Sequence, residues 1–206
     1  MASKPIMTVS VHDARASDPD RRWIERVYRD YLDDLAPLDT GIFPALGEVG
    51  HREPDQVARW FGDPSACPLV IAKSAEPVGF AVVVRTSAGA RADAAPAGAR
   101  TGVASARAGS GAASYRMAEF FVSRASRGLG IGRIAAQLIL DRFAGHWEII
   151  EYMRNPGAVN FWRRVLSAYA RGAVEERVVN GEVRQVLESG RGARPDPSSG
   201  FRYRPV

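Results

Sequence analysis

One passage limits the fold more than any other. Tyr115 to Val122 reads as a strand and Gly130 to Ala144 as a helix with Ile134, Leu138 and Ile139 on its buried side, and Arg127-Gly128-Leu129-Gly130-Ile131-Gly132-Arg133 joins the two. A strand that feeds a helix through glycines leaves several backbone N–H groups unpaired at the positive end of the helix dipole. Such a turn binds anions, pyrophosphate above all. The sequence suggests that Gly130 and Gly132 let phosphate oxygens approach the backbone, and that Arg127 and Arg133 add charge-assisted bonds. A dinucleotide fingerprint requires a third glycine where Arg133 stands, and a nucleoside-triphosphate loop requires a Gly-Lys-Ser/Thr ending that is absent. Both fit poorly; a purely structural glycine turn is the remaining alternative.

Around this passage the chain has the make-up of one ordinary globular domain: 206 residues, 46% hydrophobic and 25% charged. No apolar run approaches the length of a membrane helix, and the start MASKPIMTVSVHD lacks the apolar core of a secretory signal, so a cytoplasmic protein without membrane partners is expected. Cys67 is the single cysteine, and with His12, His51 and His146 scattered it offers no ligand cluster, so no metal is expected. The net charge of +5 resides almost wholly in arginine, Lys4 and Lys73 being the lysines. Without a basic run of five or more, genome composition accounts for it better than a nucleic-acid partner, and no nucleic acid is expected.

Upstream, Met7 to Val11 suggests a first strand. Asp18 and Pro19 then open a helix whose Trp23, Ile24, Val27, Tyr28, Tyr31, Leu32 and Leu35 recur at helical spacing, as a core stripe or, for the aromatics, as the wall of a cleft. Pro54 to Phe61 reads as a short helix, and Cys67 to Lys73 and Val78 to Arg85 as a hairpin around Ser74 to Pro77. Residues 86–114 are almost entirely Ala, Gly, Ser, Thr and Arg, a flexible low-complexity insert, with an arginine-rich nucleic-acid arm as the alternative. Downstream come a strand from Trp147 to Met153, a helix from Pro156 to Ala168, and a hairpin of Val174 to Val179 and Glu182 to Leu187 about Asn180-Gly181. Residues 190–206 read as a loose tail. The sum is a mixed α/β domain with a mostly antiparallel sheet and helices on both faces.

The spacing Arg127-x-x-Gly130-x-Gly132 resembles the Q/R-x-x-G-x-G/A pyrophosphate loop of the GNAT N-acetyltransferases. Ala118-Glu119-Phe120-Phe121-Val122 looks like their fourth strand, and Asn155-Pro-Gly-Ala158-Val-Asn-Phe161-Trp162 resembles their N-x-x-A-x-x-F-Y segment. Met117 to Val165 is especially similar to the polyamine-acetyltransferase branch and uncharacterised bacterial relatives. The resemblance implies acetyl-CoA as co-substrate, fourth and fifth strands that run parallel and then splay, and a pantetheine arm bonded in the gap to Phe121, Val122 and Ser123. It also implies that the Val122 N–H faces the thioester oxygen, that Gly128, Leu129, Gly130, Ile131, Gly132 and Arg133, with Arg127, hold the pyrophosphate, and that Asn155, Phe161 and Trp162 lie along the far side of the coenzyme.

A lysine-like amine is almost wholly protonated at pH 7 and must lose a proton before it attacks. Glu119 is the candidate catalytic base. The polyamine enzymes carry their proposed base at the adjacent position, here Ala118, so Glu119 either removes the proton or attracts a cationic substrate, or else is a strand carboxylate paired with Arg116 or Arg124. Trp162 stands where the family's tyrosine protonates the leaving thiolate; it is a coenzyme contact or core, and Tyr152 or a water would take over that role. Asp33-Asp34 either attracts a cation or is solvated helix-end charge. Direct transfer to a primary amine is expected, because Cys67 lies outside the coenzyme segment, with a small-molecule acceptor ahead of a protein and a monomer or homodimer as the assembly. The alternative is a noncatalytic acyl-CoA-binding sensor or interaction module.

Overall fold

The computed structural model describes residues 7–35, 55–86, 113–170 and 174–190. Seven strands, β1 (Val9–Asp13), β2 (Ala66–Lys73), β3 (Glu76–Thr86), β4 (Ser114–Val122), β5 (His146–Tyr152), β6 (Glu175–Val179) and β7 (Glu182–Glu188), form one sheet in the order β1-β2-β3-β4-β5-β7-β6. Every pairing is antiparallel except β4 with β5. Helices α1 (Asp18–Leu35) and α2 (Gln56–Gly62) cover one face, and α3 (Ile131–Arg142) and α4 (Pro156–Tyr169) the other. This is the mixed architecture expected from the sequence.

Period-2 alternation assigns the strand residues to two cores. On one face Val70, Phe80, Val82 and Phe121 meet Ile24 and Tyr28 of α1 and Val57 and Trp60 of α2. On the other, Leu69, Val83, Met117 and Ile149 meet Ile139 and Leu140 of α3 and Trp162 and Leu166 of α4. The helical stripe of α1 is the reason it docks. Its first turn closes on Ser17, whose carbonyl accepts from Asp20 and Arg21, so the helix starts at Asp18 rather than after it.

Two expected elements differ. The β2–β3 connection is a two-residue turn, because Glu76 and Pro77 pair with Lys73 and Ala72 and belong to β3. Ser74 and Ala75 take positive φ to close it, a conformation their residue types do not advertise. The first strand runs Val9–Asp13, two residues later than expected. Most of residues 86–114, the expected insert, lies outside the described residues, but Thr86 pairs with Ser114, so the segment joins β3 to β4. The expected tail beyond Gly190 lies outside them as well.

The β4–β5 contact positions everything that follows. His146 donates its N–H to Ala113 at 2.9 Å, and pairing runs from Ser114–His146 to Met117–Ile149 and then stops. Both strands continue, so Ala118–Val122 and Ile150–Tyr152 diverge. On its other side β4 stays bonded to β3, with a bulge: Glu119 pairs with Val82 and Met117 with Val83, leaving Ala118 as the extra residue.

Candidate active site

The divergence of β4 and β5 opens a cleft of about 800 Å³, bounded by the end of α1, the glycine turn and the start of α4. Its wall is set by which peptide groups of β4 face outward. Ser123 donates its N–H to the Val78 carbonyl at 2.8 Å and accepts from Ser126, so its backbone is engaged within the fold. Antiparallel alternation from Ser123 turns the peptide groups of Phe121 toward β3 and those of Phe120 and Val122 into the gap. The Val122 N–H therefore faces the cleft. The peptide groups of Phe120 share that orientation, and those of Phe121 and Ser123, expected to bond the pantetheine arm, turn toward β3 or the turn after β4.

At the mouth, Gly128 and Gly130 have φ of +76° and +79°, and a Cβ at either would meet nothing within 4 Å. The requirement for glycine there is conformational, while the space above them is open. Gly132 has a different reason: its Cβ would press on the Phe161 ring at 3.3 Å, so it brings α3 and α4 together. No side chain caps α3, and its first internal bond is from Ile134 to Gly130, which leaves the amides of Ile131, Gly132 and Arg133 aimed toward the mouth. Ile131 contributes through its backbone, its side chain being buried with Ile134 and Val122; Leu129 is 45% exposed at the tip of the turn and Arg133 lines the cleft. Arg127 folds back. Its Nε donates to the Val122 carbonyl at 2.8 Å, its Nη2 is ion-paired with Asp34, and its guanidinium lies 5.7 Å from the centre of the Phe121 ring.

The floor is aromatic. Phe120 stacks on Phe161 with centroids 5.6 Å apart and meets Trp162 edge-on at 5.1 Å. Asn155 is the N-cap of α4, its Oδ1 accepting from the Ala158 N–H at 3.1 Å, so its oxygen has a structural duty. Trp162 is 1% exposed and packs edge-on against Phe120 and Phe161.

Glu119 is 2% exposed and accepts a hydrogen bond from the Tyr31 hydroxyl. The bulge put it there. Ala118 and Phe121 pack toward α1 while Met117 and Phe120 pack toward α3 and α4, so the extra residue turns Glu119 from the face of Met117 to that of α1. Arg124, one of the expected partners of Glu119, is instead ion-paired with Asp34. Burial, then the charge of Glu119 and its hydrogen bond, push the Tyr31 phenol well above its ordinary value, so it stays a donor. Burial, with a further push from Glu119, raises Glu151 to about 7, the Trp162 N–H opposing the rise. Glu151 was not among the residues singled out from the sequence; as one glutamate within an ordinary strand run it carries no local signal. Cys67, by contrast, lies on β2 and is not among the described residues lining the cleft, and burial pushes its thiol up. No group of ligands suited to a metal ion occurs among the described residues.

A cleft between two splayed strands, with backbone donors along one wall and a bare helix N-terminus at its mouth, suits an extended ligand that ends in phosphate. Comparison with known proteins agrees. The sequence matches the model of the acetyltransferase (GNAT) family over residues 24–167. No curated protein matches it. Among solved structures, a GNAT-family acetyltransferase of Streptococcus agalactiae superposes with a TM-score of 0.59 at 11% identity, over 89% of this chain and 96% of that one. Arabidopsis thaliana NAA60 in complex with acetyl-CoA gives 0.55 at 12%, over 88% and 98%. A GNAT-family acetyltransferase of Listeria monocytogenes gives 0.54 at 14%, over 87% and 94%. At these identities the likeness is one of fold. No described helix is long and apolar enough to cross a membrane.

Proposed function

The chain belongs to the GNAT acetyltransferase family, and from that premise we propose that it moves the acetyl group of acetyl-CoA directly to a primary amine of a small cationic acceptor. The observation that carries this reading is the end of β4–β5 pairing at Met117–Ile149, which opens the peptide groups of Phe120 and the N–H of Val122 to a ligand. The solved fold relative from Arabidopsis thaliana holds acetyl-CoA, which supports the same co-substrate here.

The residues present fit such a ligand. The amides of Gly128–Arg133 would hold its diphosphate, assisted by Arg133 and by Arg127 once released from Asp34. Phe120 and Val122 would bond its pantetheine arm, and Phe161 would pack along it. When bound, acetyl-CoA supplies an acetyl thioester. The Val122 N–H would lie along the bound thioester, where a backbone donor can stabilise negative charge on its carbonyl oxygen. Glu119, buried between α1 and β4, would favour a slender ammonium group over a bulky protein surface.

Two measurements test the reading together. Acetyl-CoA at a hundredfold its Kd should stabilise the protein by about 2.7 kcal/mol, and free thiol should appear when a panel of primary amines is added. Absence of stabilisation overturns the coenzyme site. Stabilisation with no thiol release from any amine would instead indicate an acyl-CoA sensor.

A further inference from the structure

The cleft has unlike sides. Toward α1 it is polar, with Tyr31 donating to Glu119. Toward α3 and α4 it ends on three aromatic rings. Phe120 of β4 stacks on Phe161 of α4 with centroids 5.6 Å apart, and Trp162 meets Phe120 and Phe161 edge-on, each at 5.1 Å. All three line the cleft, together with Met117 and Val165. We propose that this aromatic wall is the acyl-size filter of the site: it receives the methyl of an acetyl group and excludes longer acyl chains. The inference deepens the acetyl-transfer reading above and rests on it.

The case is one of geometry. A thioester arm bonded along β4, with its diphosphate at Gly128–Arg133, runs inward from the mouth, so its acyl end travels from Val122 toward Phe120. There the Phe120 ring reaches from β4 to α4 through its stack on Phe161 and closes the path between them. The rings have little room to retreat. Behind them Trp162 is 1% exposed. On the α3 side Gly132 lies so close that even a Cβ there would stand 3.3 Å from Phe161 and 3.7 Å from Phe120. Phe120 and Phe161 are half-buried, which leaves each an exposed side toward the cleft. Met117, Trp162 and Val165 belong to the main core, where close packing resists an added methylene.

The wall also sets where the reaction takes place. An acyl group that abuts packed rings cannot slide inward, so the wall fixes how deep the arm sits and holds the thioester carbon level with the outward peptide groups of β4. The amine then approaches from the α1 side, where Tyr31 and Glu119 lie, across the cleft from the rings. A longer acyl chain either stops with its thioester short of that level or displaces the rings, and is penalised in binding and in turnover alike. Trp162, which stands where the family carries tyrosine, backs the wall with an indole, a larger ring system than a phenol.

Calorimetry with acetyl-CoA and butyryl-CoA reads the wall without an acceptor. The unaltered protein should bind acetyl-CoA at least about tenfold more tightly than butyryl-CoA, the discrimination a closed apolar site makes against added methylenes. Phe120→Ala should open the wall and abolish or reverse that preference, and Phe161→Leu should narrow it from the α4 side, with thermal melts confirming that each variant is folded. Thiol release with 1,4-diaminobutane as acceptor should rank the two thioesters in the same order. Equal affinities of the unaltered protein for the two thioesters, or a ratio unchanged in both folded variants, overturns the proposal; the first of these is decisive even if neither variant folds. Failure of the unaltered protein to bind acetyl-CoA strikes the coenzyme reading and the filter with it, whereas binding that discriminates between the thioesters without thiol release from any amine strikes transfer alone.

Discussion

Asp34, one residue from the end of α1, is ion-paired with Arg127 in the turn that precedes α3. The pair ties α1 to the turn that precedes α3, on opposite sides of the cleft mouth, with Arg124 held by the same carboxylate. The Asp33-Asp34 charge is therefore neither a substrate anchor nor idle solvated charge, at least at Asp34. An arginine so held must let go to reach a diphosphate. Asp34→Asn should tighten acetyl-CoA binding by about two- to fivefold, the value of a partly exposed ion pair, whereas Arg127→Ala should weaken it. Calorimetry on the two variants decides; equal affinities for Asp34→Asn and the unaltered protein would mean that Arg127 stays on Asp34 when coenzyme binds.

Gly130 and Gly132 should respond differently to the same added methyl group. At φ +79° an alanine at 130 is strained by roughly 1–2 kcal/mol, and its Cβ enters the open mouth, so both stability and acetyl-CoA affinity should fall. Alanine at 132 meets the Phe161 ring at 3.3 Å and the Phe120 ring at 3.7 Å, flexible side chains that can give by a few tenths of an ångström. Denaturant melts should separate the two, with the larger loss at 130. The opposite order would reverse the roles assigned to these glycines.

Tyr31→Phe keeps the ring that packs on Phe80 and Phe121 and removes the donor to a nearly buried carboxylate. The expected cost is about 1–2 kcal/mol of unfolding free energy, together with a raised KM for the amine. No change in either would remove Tyr31 from the site.

Glu151 makes stability depend on pH in a defined direction. Its ordinary value of 4.5 is raised to about 7 in the folded protein, so between these values the native state holds a proton that the unfolded chain has released. Stability from this group is present below the lower value and lost as pH rises through the upper one. Glu151→Gln should equal the unaltered protein near pH 4 and exceed it near pH 8, by on the order of 2 kcal/mol. Thermal melts at the two pH values check the sign.

Much of the fold was legible because its signals are local. The α1 stripe, the glycine turn, Asn155-Pro156 at the head of α4 and the Asn180-Gly181 hairpin each act within a few residues, and Asn180 and Gly181 do take the positive φ their turn requires. The β2–β3 turn was misjudged in length because Ser74 and Ala75 adopt such angles without the residue types that favour them. The glycine turn and the uncapped start of α3 were legible for the same reason as the helices, since adjacent residues form them.

The amino-acid order alone determined the alternation of strands and helices and the bare amides before α3, because backbone geometry over one turn depends on neighbouring residues. Only the tertiary structure decided which carboxylates meet in the cleft. The bulge at Ala118 is fixed by pairing with β3, the Tyr31–Glu119 bond joins residues 88 positions apart, and the burial that lifts Glu151 comes from elements that meet only in the folded chain. Charge and hydrogen bonding act through space, and no spacing along the sequence records those distances.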